Sequence, residues 1–304
     1  MKQIFLLLIF VLSQCQSNRQ ADNIALIEQQ RLMVACQQFE AVYIGLNKDY
    51  INIPEARIAI DTLISIFDDY YFRHQAQKKY DTSEWYFPVQ GYTARAIGND
   101  KKNRHGFVDN GCNFFDRGIN PGHPAYDIFI RDLNNDGKDD RTKEWVNILA
   151  MTGGIVVDVE EQWKKGTTAR GGKYIWLYDP STKGFFYYAH NNDLFVKVGD
   201  IVTPGQVIAT MGRTGANANK ERSQTHLHLC YYQVAPDNDI RPMRFYPQLK
   251  AATHTPRPSK NVNNNTEEPT PLDTALVDSA GNYIECGDDL SISSQSSQCM
   301  GSEQ

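Results

Sequence analysis

Between Trp85 and Tyr246 the chain runs in short aromatic and β-branched stretches, each cut off by glycine or by a proline–glycine pair. Ile155-Val156-Val157, Tyr174 to Tyr178, Phe185 to Tyr188, Val207-Ile208 and Leu227 to Tyr232 have the length and residue types of strands. Pro204-Gly205, Gly212 and Gly215 mark turns between them. The pattern predicts a mainly β fold, an antiparallel sheet or sandwich occupying residues 84–247.

The segment before this domain has a different period. Leu32, Cys36, Phe39, Tyr43 and Leu46 recur at helical spacing. Ile60, Leu63, Ile64, Phe67 and Tyr71 do so again, after Pro54 in a position that suits a first helical turn. The connection from Asn47 to Asn52 is short, so residues 22–83 should form a helical hairpin, packed on the β domain or spacing it from a membrane. After the β domain, residues 248–304 read as a disordered tail. Thr253 to Thr274 is rich in Pro, Asn, Thr and charge, and the remainder is serine-rich with two cysteines.

The amino terminus reads as an export signal over residues 1–14. Lys2 supplies the positive charge, and Phe5 to Leu12 is an apolar run too short to cross a bilayer. Leu12-Ser13-Gln14-Cys15 resembles the lipobox of bacterial lipoproteins, although Gln14 stands where a small residue is usual. Lipidation at Cys15, with residues 15–21 as a tether, is therefore one expectation, and plain secretion is the other. Either places the protein in the periplasm or cell envelope, where disulfides form. Cys36 with Cys112 and Cys286 with Cys299 are candidate pairs, though spacing leaves the connectivity open. No C-x-x-C occurs, which argues against a structural cysteine–zinc site. A formal net charge of -5 gives no basic excess, so nucleic acid is not an expected partner.

The chemistry is concentrated in three places: His123 to Asp127, Tyr188-Ala189-His190 and His226-Leu227-His228. On a strand, residues two apart project to one face, so His226 and His228 should stand side by side with Leu227 behind them. His123 and Asp127 are also an even number apart, on a segment running into Ile128-Phe129-Ile130. Two imidazoles and a carboxylate meeting at one point leave a fourth position open, the catalytic form of zinc coordination.

These motifs occur with Gly199-Asp200-Ile201-Val202-Thr203-Pro204-Gly205-Gln206-Val207-Ile208-Ala209, the turn Gly212-Arg213-Thr214-Gly215, and Thr225-His226-Leu227-His228. In order and spacing they resemble the lysostaphin/LytM-type zinc endopeptidases, over roughly Trp85 to Tyr246. The resemblance implies a duplicated-hybrid-motif-like β domain and one Zn2+ per chain, held by His123, Asp127 and His228. It also implies His190 and His226 as the catalytic pair, and the peptides of peptidoglycan as substrate. No H-E-x-x-H helix is present, so histidines would do the proton work.

Asp132, Asn134, Asp136 and Asp140 fit the first half of a calcium loop, but Lys143 stands where the bidentate glutamate belongs. Such a loop, with Ca2+ or without it, should lie at the rim of the histidine site. Cys230 shares strand parity with His228 and is expected to be a buried, inert thiol. His74, His105 and His254 lie outside the motifs and are expected at the surface. Two rival functions remain on sequence grounds: an inactive relative of the same fold that regulates wall hydrolases, and a calcium-stiffened adhesive lipoprotein.

Overall fold

The computed structural model describes residues 2–74, 84–98, 105–115, 122–237 and 239–257, with side chains from residue 20 onward. Lipidation at Cys15 and pairing of Cys286 with Cys299 fall outside the described side chains.

Two helices lead the chain, α1 (Lys2–Asn47) and α2 (Ile53–His74). Helix α1 runs unbroken through the stretch read as signal and tether. Among the described residues no helix is long and apolar enough to cross a membrane. Asp49 takes φ +59° in the connection, and Asn52 Oδ1 accepts from Glu55 N at 2.9 Å, satisfying one of the orphan donors at the start of α2. All ten apolar residues that set the helical period are buried.

Strands β1 (Ala125–Phe129), β2 (Asn147–Leu149), β3 (Gly154–Glu160), β4 (Lys173–Asp179), β5 (Gly184–Leu194), β6 (Ile201–Val202), β7 (Val207–Met211), β8 (His226–Val234) and β9 (Ile240–Pro242) form one sheet. All its pairings are antiparallel. Its main path is β1-β8-β5-β4-β3-β6, with β9 on β8 and β7 bridging β5 to β2.

Alternation along the strands sorts the core into two layers. Val156, Leu177, Phe186, Tyr188, Leu227 and Leu229 face one side, where Phe87, Phe245 and Leu249 close over them. Val157, Trp176, Phe185, Tyr187, Cys230 and Tyr232 face the other, and there the hairpin packs. Phe39 of α1 anchors that layer, stacked on Phe185 at 5.4 Å and edge-on to Trp176 at 6.1 Å. Burying a side chain of this size contributes roughly 1.5–3 kcal/mol. Arg57 of α2 reaches Asp239 at 2.8 Å, and Asp68 accepts from Tyr178 Oη at 2.9 Å.

Two expectations need correction. Cys36 is a buried thiol outside any disulfide, so it is not the partner of Cys112, which is disulfide-bonded. Burial raises the Cys36 thiol to about 12, because α1 presses it against the sheet. The start of the segment read as tail is also part of the domain. Helix α3 (Tyr246–Ala251) buries Leu249, and Thr253 O and Thr255 O accept from Phe87 N and Gly91 N at 2.9 Å each. Apolar anchoring at Leu249 and Ala252 outweighs the polar composition that follows.

A candidate metal and catalytic site at the end of the hairpin-covered face

Strands β1 and β8 are in register with Asp127 opposite His228 and Phe129 opposite His226. His226 and His228 share parity with Cys230 and Tyr232, so both project from the face on which the hairpin packs. His123 precedes β1 and is held by a reciprocal backbone pair with Val108. Its Nε2 then lies 3.3 Å from Asp127 Oδ2, while His228 Nδ1 lies 3.0 Å from Asp127 Oδ1. One ligand atom from each of His123, Asp127 and His228 falls within 4.8 Å of the others, which fits a single metal ion. It is the only such cluster among the described residues.

His190 arrives by a different route. Tyr188 points into the first core layer and Ala189 into the second, so a regular strand would return His190 to the first, away from the site. Instead His190 takes φ +67°, beside a register shift in the β4–β5 pairing. The irregularity re-aims the ring, and a non-glycine residue in this region is a strain that the surroundings must hold. Its centroid ends 4.9 Å from that of His226 and 5.6 Å from that of His228. The surroundings are two glycine turns. Gly215 sits at φ +107°, and a Cβ there would come within 2.1 Å of Arg170 O and 3.0 Å of His190 Nδ1. Gly172, at φ +68°, would collide with Thr214 in the same way. Only glycine lets the two loops close around this imidazole.

Backbone carbonyls set the tautomers of three of the rings. Nδ1 of His123 meets Gly106 O at 2.9 Å, Nδ1 of His226 meets Gln224 O at 2.7 Å, and Nδ1 of His190 meets Thr214 O at 2.9 Å. A carbonyl can only accept, so Nδ1 carries the proton and Nε2 presents a lone pair. Sequence reasoning missed these carbonyls, because a backbone acceptor has no residue signature.

The electrostatics follow from burial and crowding. Burial pushes His190 well below its ordinary value of 6.5, and neighbouring His226 and His228 push it further, so it stays neutral. His228 is lowered too, chiefly by burial, against the pull of Asp127. For Asp127 burial acts upward, but His123, His226 and His228 outweigh it and hold the carboxyl well below its ordinary range. The site is not sealed: the side chains of His123 and Asp127 are 36% and 24% exposed.

The acidic loop lies at the rim, where the sequence puts it, but its oxygens are already used. Asp132 accepts from Asp136 N, Gly137 N and Thr225 Oγ1, the last at 2.6 Å, and Asp140 accepts from Leu133 N. Asn134 donates to Asp136. The three carboxylates do not gather as a metal cluster, so calcium finds no support in the geometry. Arg213 continues the bracing, donating to Thr225 Oγ1, Ser223 O and Lys220 O. Of the remaining histidines, His254 is exposed, whereas His74 and His105 are half-buried. His74 contacts Tyr70 O, and His105 stacks on Tyr246 at 3.7 Å.

Fold and site together define an antiparallel β domain with a His–Asp–His cluster able to hold a metal and two further histidines beside it. Residues 134–240 match the model of peptidase family M23. The match includes His190, His226 and His228; His123 and Asp127 precede it and enter the site through the β1–β8 register. No curated protein matches the chain significantly. Among solved structures, the antimicrobial peptidase lysostaphin from Staphylococcus simulans is 24% identical with a TM-score of 0.31, over 52% of this chain and 54% of that one. The catalytic domain of lysostaphin is 26% identical with a TM-score of 0.28, over 41% and 80%. A zinc-containing peptidase from Vibrio cholerae is 17% identical with a TM-score of 0.28, over 51% and 39%. The chain thus spans about half the length of the full lysostaphin.

Proposed function

We propose that this chain is a zinc-dependent endopeptidase that hydrolyses peptide bonds in the stem peptides or cross-bridges of peptidoglycan. The observation that carries the reading is the convergence of His123, Asp127 and His228, with His190 and His226 beside them. Two imidazoles and a carboxylate suit zinc and leave a position for water. Bound there, zinc would supply a Lewis acid and lower the pKa of that water to about 7. The chain's own residues supply the rest. His190, neutral and presenting Nε2, is poised to take a proton, and so is His226. Whichever ring takes the proton then becomes the donor for the leaving amine.

Peptidoglycan as substrate, export and lipid attachment at Cys15 rest on the family and on the sequence of residues 1–22. The test is digestion of purified peptidoglycan by wild type and His228→Ala, with mass spectrometry of the new amino termini. Cleavage by wild type alone supports the proposal and names the bond. Zinc uptake without cleavage would favour a regulator of the same fold, and an absence of both would favour an adhesive role.

A further inference from the structure

His228 breaks the rule that the other three imidazoles obey. They turn Nδ1 to a backbone carbonyl, whereas His228 turns Nδ1 to Asp127 and the metal-binding cluster. Asp127 meets one ring nitrogen, and at the other, Nε2, the thiol of Cys230 lies 3.4 Å away. Cys230 is 2% exposed, in no disulfide, and outside the ligand cluster. It reaches His228 because residues two apart on β8 share a face, and Ala125 stands opposite it on β1 and Tyr187 on β5. Tyr187 also sets its ring edge-on to His228, with centroids 6.4 Å apart.

The geometry points to Cys230 as a positioning residue for His228, holding the imidazole so that Nδ1 faces the metal. The chemistry favours a group with both hydrogen-bonding roles here. When Nδ1 carries a proton for Asp127, Nε2 is a lone pair, and the thiol donates to it. When Nδ1 binds a metal, Nε2 must carry the proton, and the sulfur accepts it. A backbone carbonyl serves only the second state. A thiol serves both, so His228 keeps its place whichever nitrogen is protonated. Removing such an outer partner lowers metal affinity by about 10- to 100-fold. A hydroxyl has the same two roles, so serine should substitute and alanine should not.

This inference rests on the proposed metal site, and its test separates the two. Zinc affinity is measured by chelator competition on wild type, Cys230→Ser and Cys230→Ala, with melting temperature beside it. The imidazole 15N shifts of His228 are read in the metal-free proteins. We expect wild type and Cys230→Ser to bind zinc within about threefold of each other. Cys230→Ala should bind about tenfold or more weakly and show a changed His228 tautomer balance. Equal affinity and unchanged shifts in folded Cys230→Ala would overturn the role of Cys230 and leave the metal site standing. Equal losses in Cys230→Ser and Cys230→Ala, tracking melting temperature, would make it a packing residue. Wild type that takes up no zinc overturns both ideas.

Discussion

Asp127 Oδ1 lies 3.0 Å from Nδ1 of His228, although 101 residues separate the two in the chain. The antiparallel register of β1 on β8 makes this contact, and a one-residue slip would send one of the two partners to the other face. Asp127→Ala or His228→Ala should therefore abolish stoichiometric zinc binding and peptide cleavage together. In wild type at free zinc a hundred times Kd, chelator should cost about 2.7 kcal/mol of stability, with no such change in either variant. Calorimetry with and without chelator checks this.

His190 and His226 predict a different pattern. Neither belongs to the ligand cluster, so His190→Ala and His226→Ala should keep their zinc. Turnover should nevertheless fall by about a hundred- to ten-thousand-fold, the range for losing a positioned proton carrier. Zinc content and cleavage rate measured on the same samples separate these variants from the ligand variants.

Asp158 predicts a pH effect on stability. Its carboxyl is buried beneath α1, beside Glu40, and accepts from Tyr174 Oη at 3.1 Å. Burial first, and Glu40 second, raise it from 3.8 to about 7. For a raised carboxyl the stabilising state is the protonated one. Its contribution is fully present below pH 4 and is lost as pH rises through about 7, a change of at most about 4 kcal/mol. Asp158→Asn should therefore be more stable than wild type at pH 8 and similar to it near pH 4. Urea melts at both values read the difference.

At the rim, Asp132 ties the acidic loop to the approach to β8 through Thr225. Asp132→Ala leaves two buried donors, Gly137 N and Thr225 Oγ1, and the partly buried Asp136 N without their acceptor and should cost about 1–3 kcal/mol. Because its oxygens are taken by the protein, the loss should be the same with calcium or without it, as paired denaturation curves would report.

The sheet and the hairpin were legible because both rest on periodicity, which the sequence displays directly: Leu227 and Leu229 against His226 and His228, or Phe39 and Tyr43 on α1. The convergence of His123, Asp127 and His228 was legible only in part: parity puts His228 on one face of β8, whereas His123 precedes β1 and was singled out by the family resemblance. What stayed hidden depends on relations that no spacing encodes. The turn of His190 toward the site arises from a positive φ within a strand, and the carbonyls that fix three tautomers carry no side-chain mark. The pairing of Cys36 with Cys112 failed because Cys36 belongs to the helical stripe that the sheet buries. The start of the segment read as tail joined the core through Leu249 and Ala252, two apolar residues at the edge of a polar stretch.

The central claim is that two imidazoles and one carboxylate of this chain hold a single zinc ion, and X-ray absorption at the zinc edge tests it most directly. The account predicts one zinc per chain, with two imidazole nitrogens at about 2.0–2.1 Å, oxygen ligands at similar range and no sulfur. A sulfur shell near 2.3 Å, or wild-type protein that holds no zinc after equilibration and desalting, would contradict it.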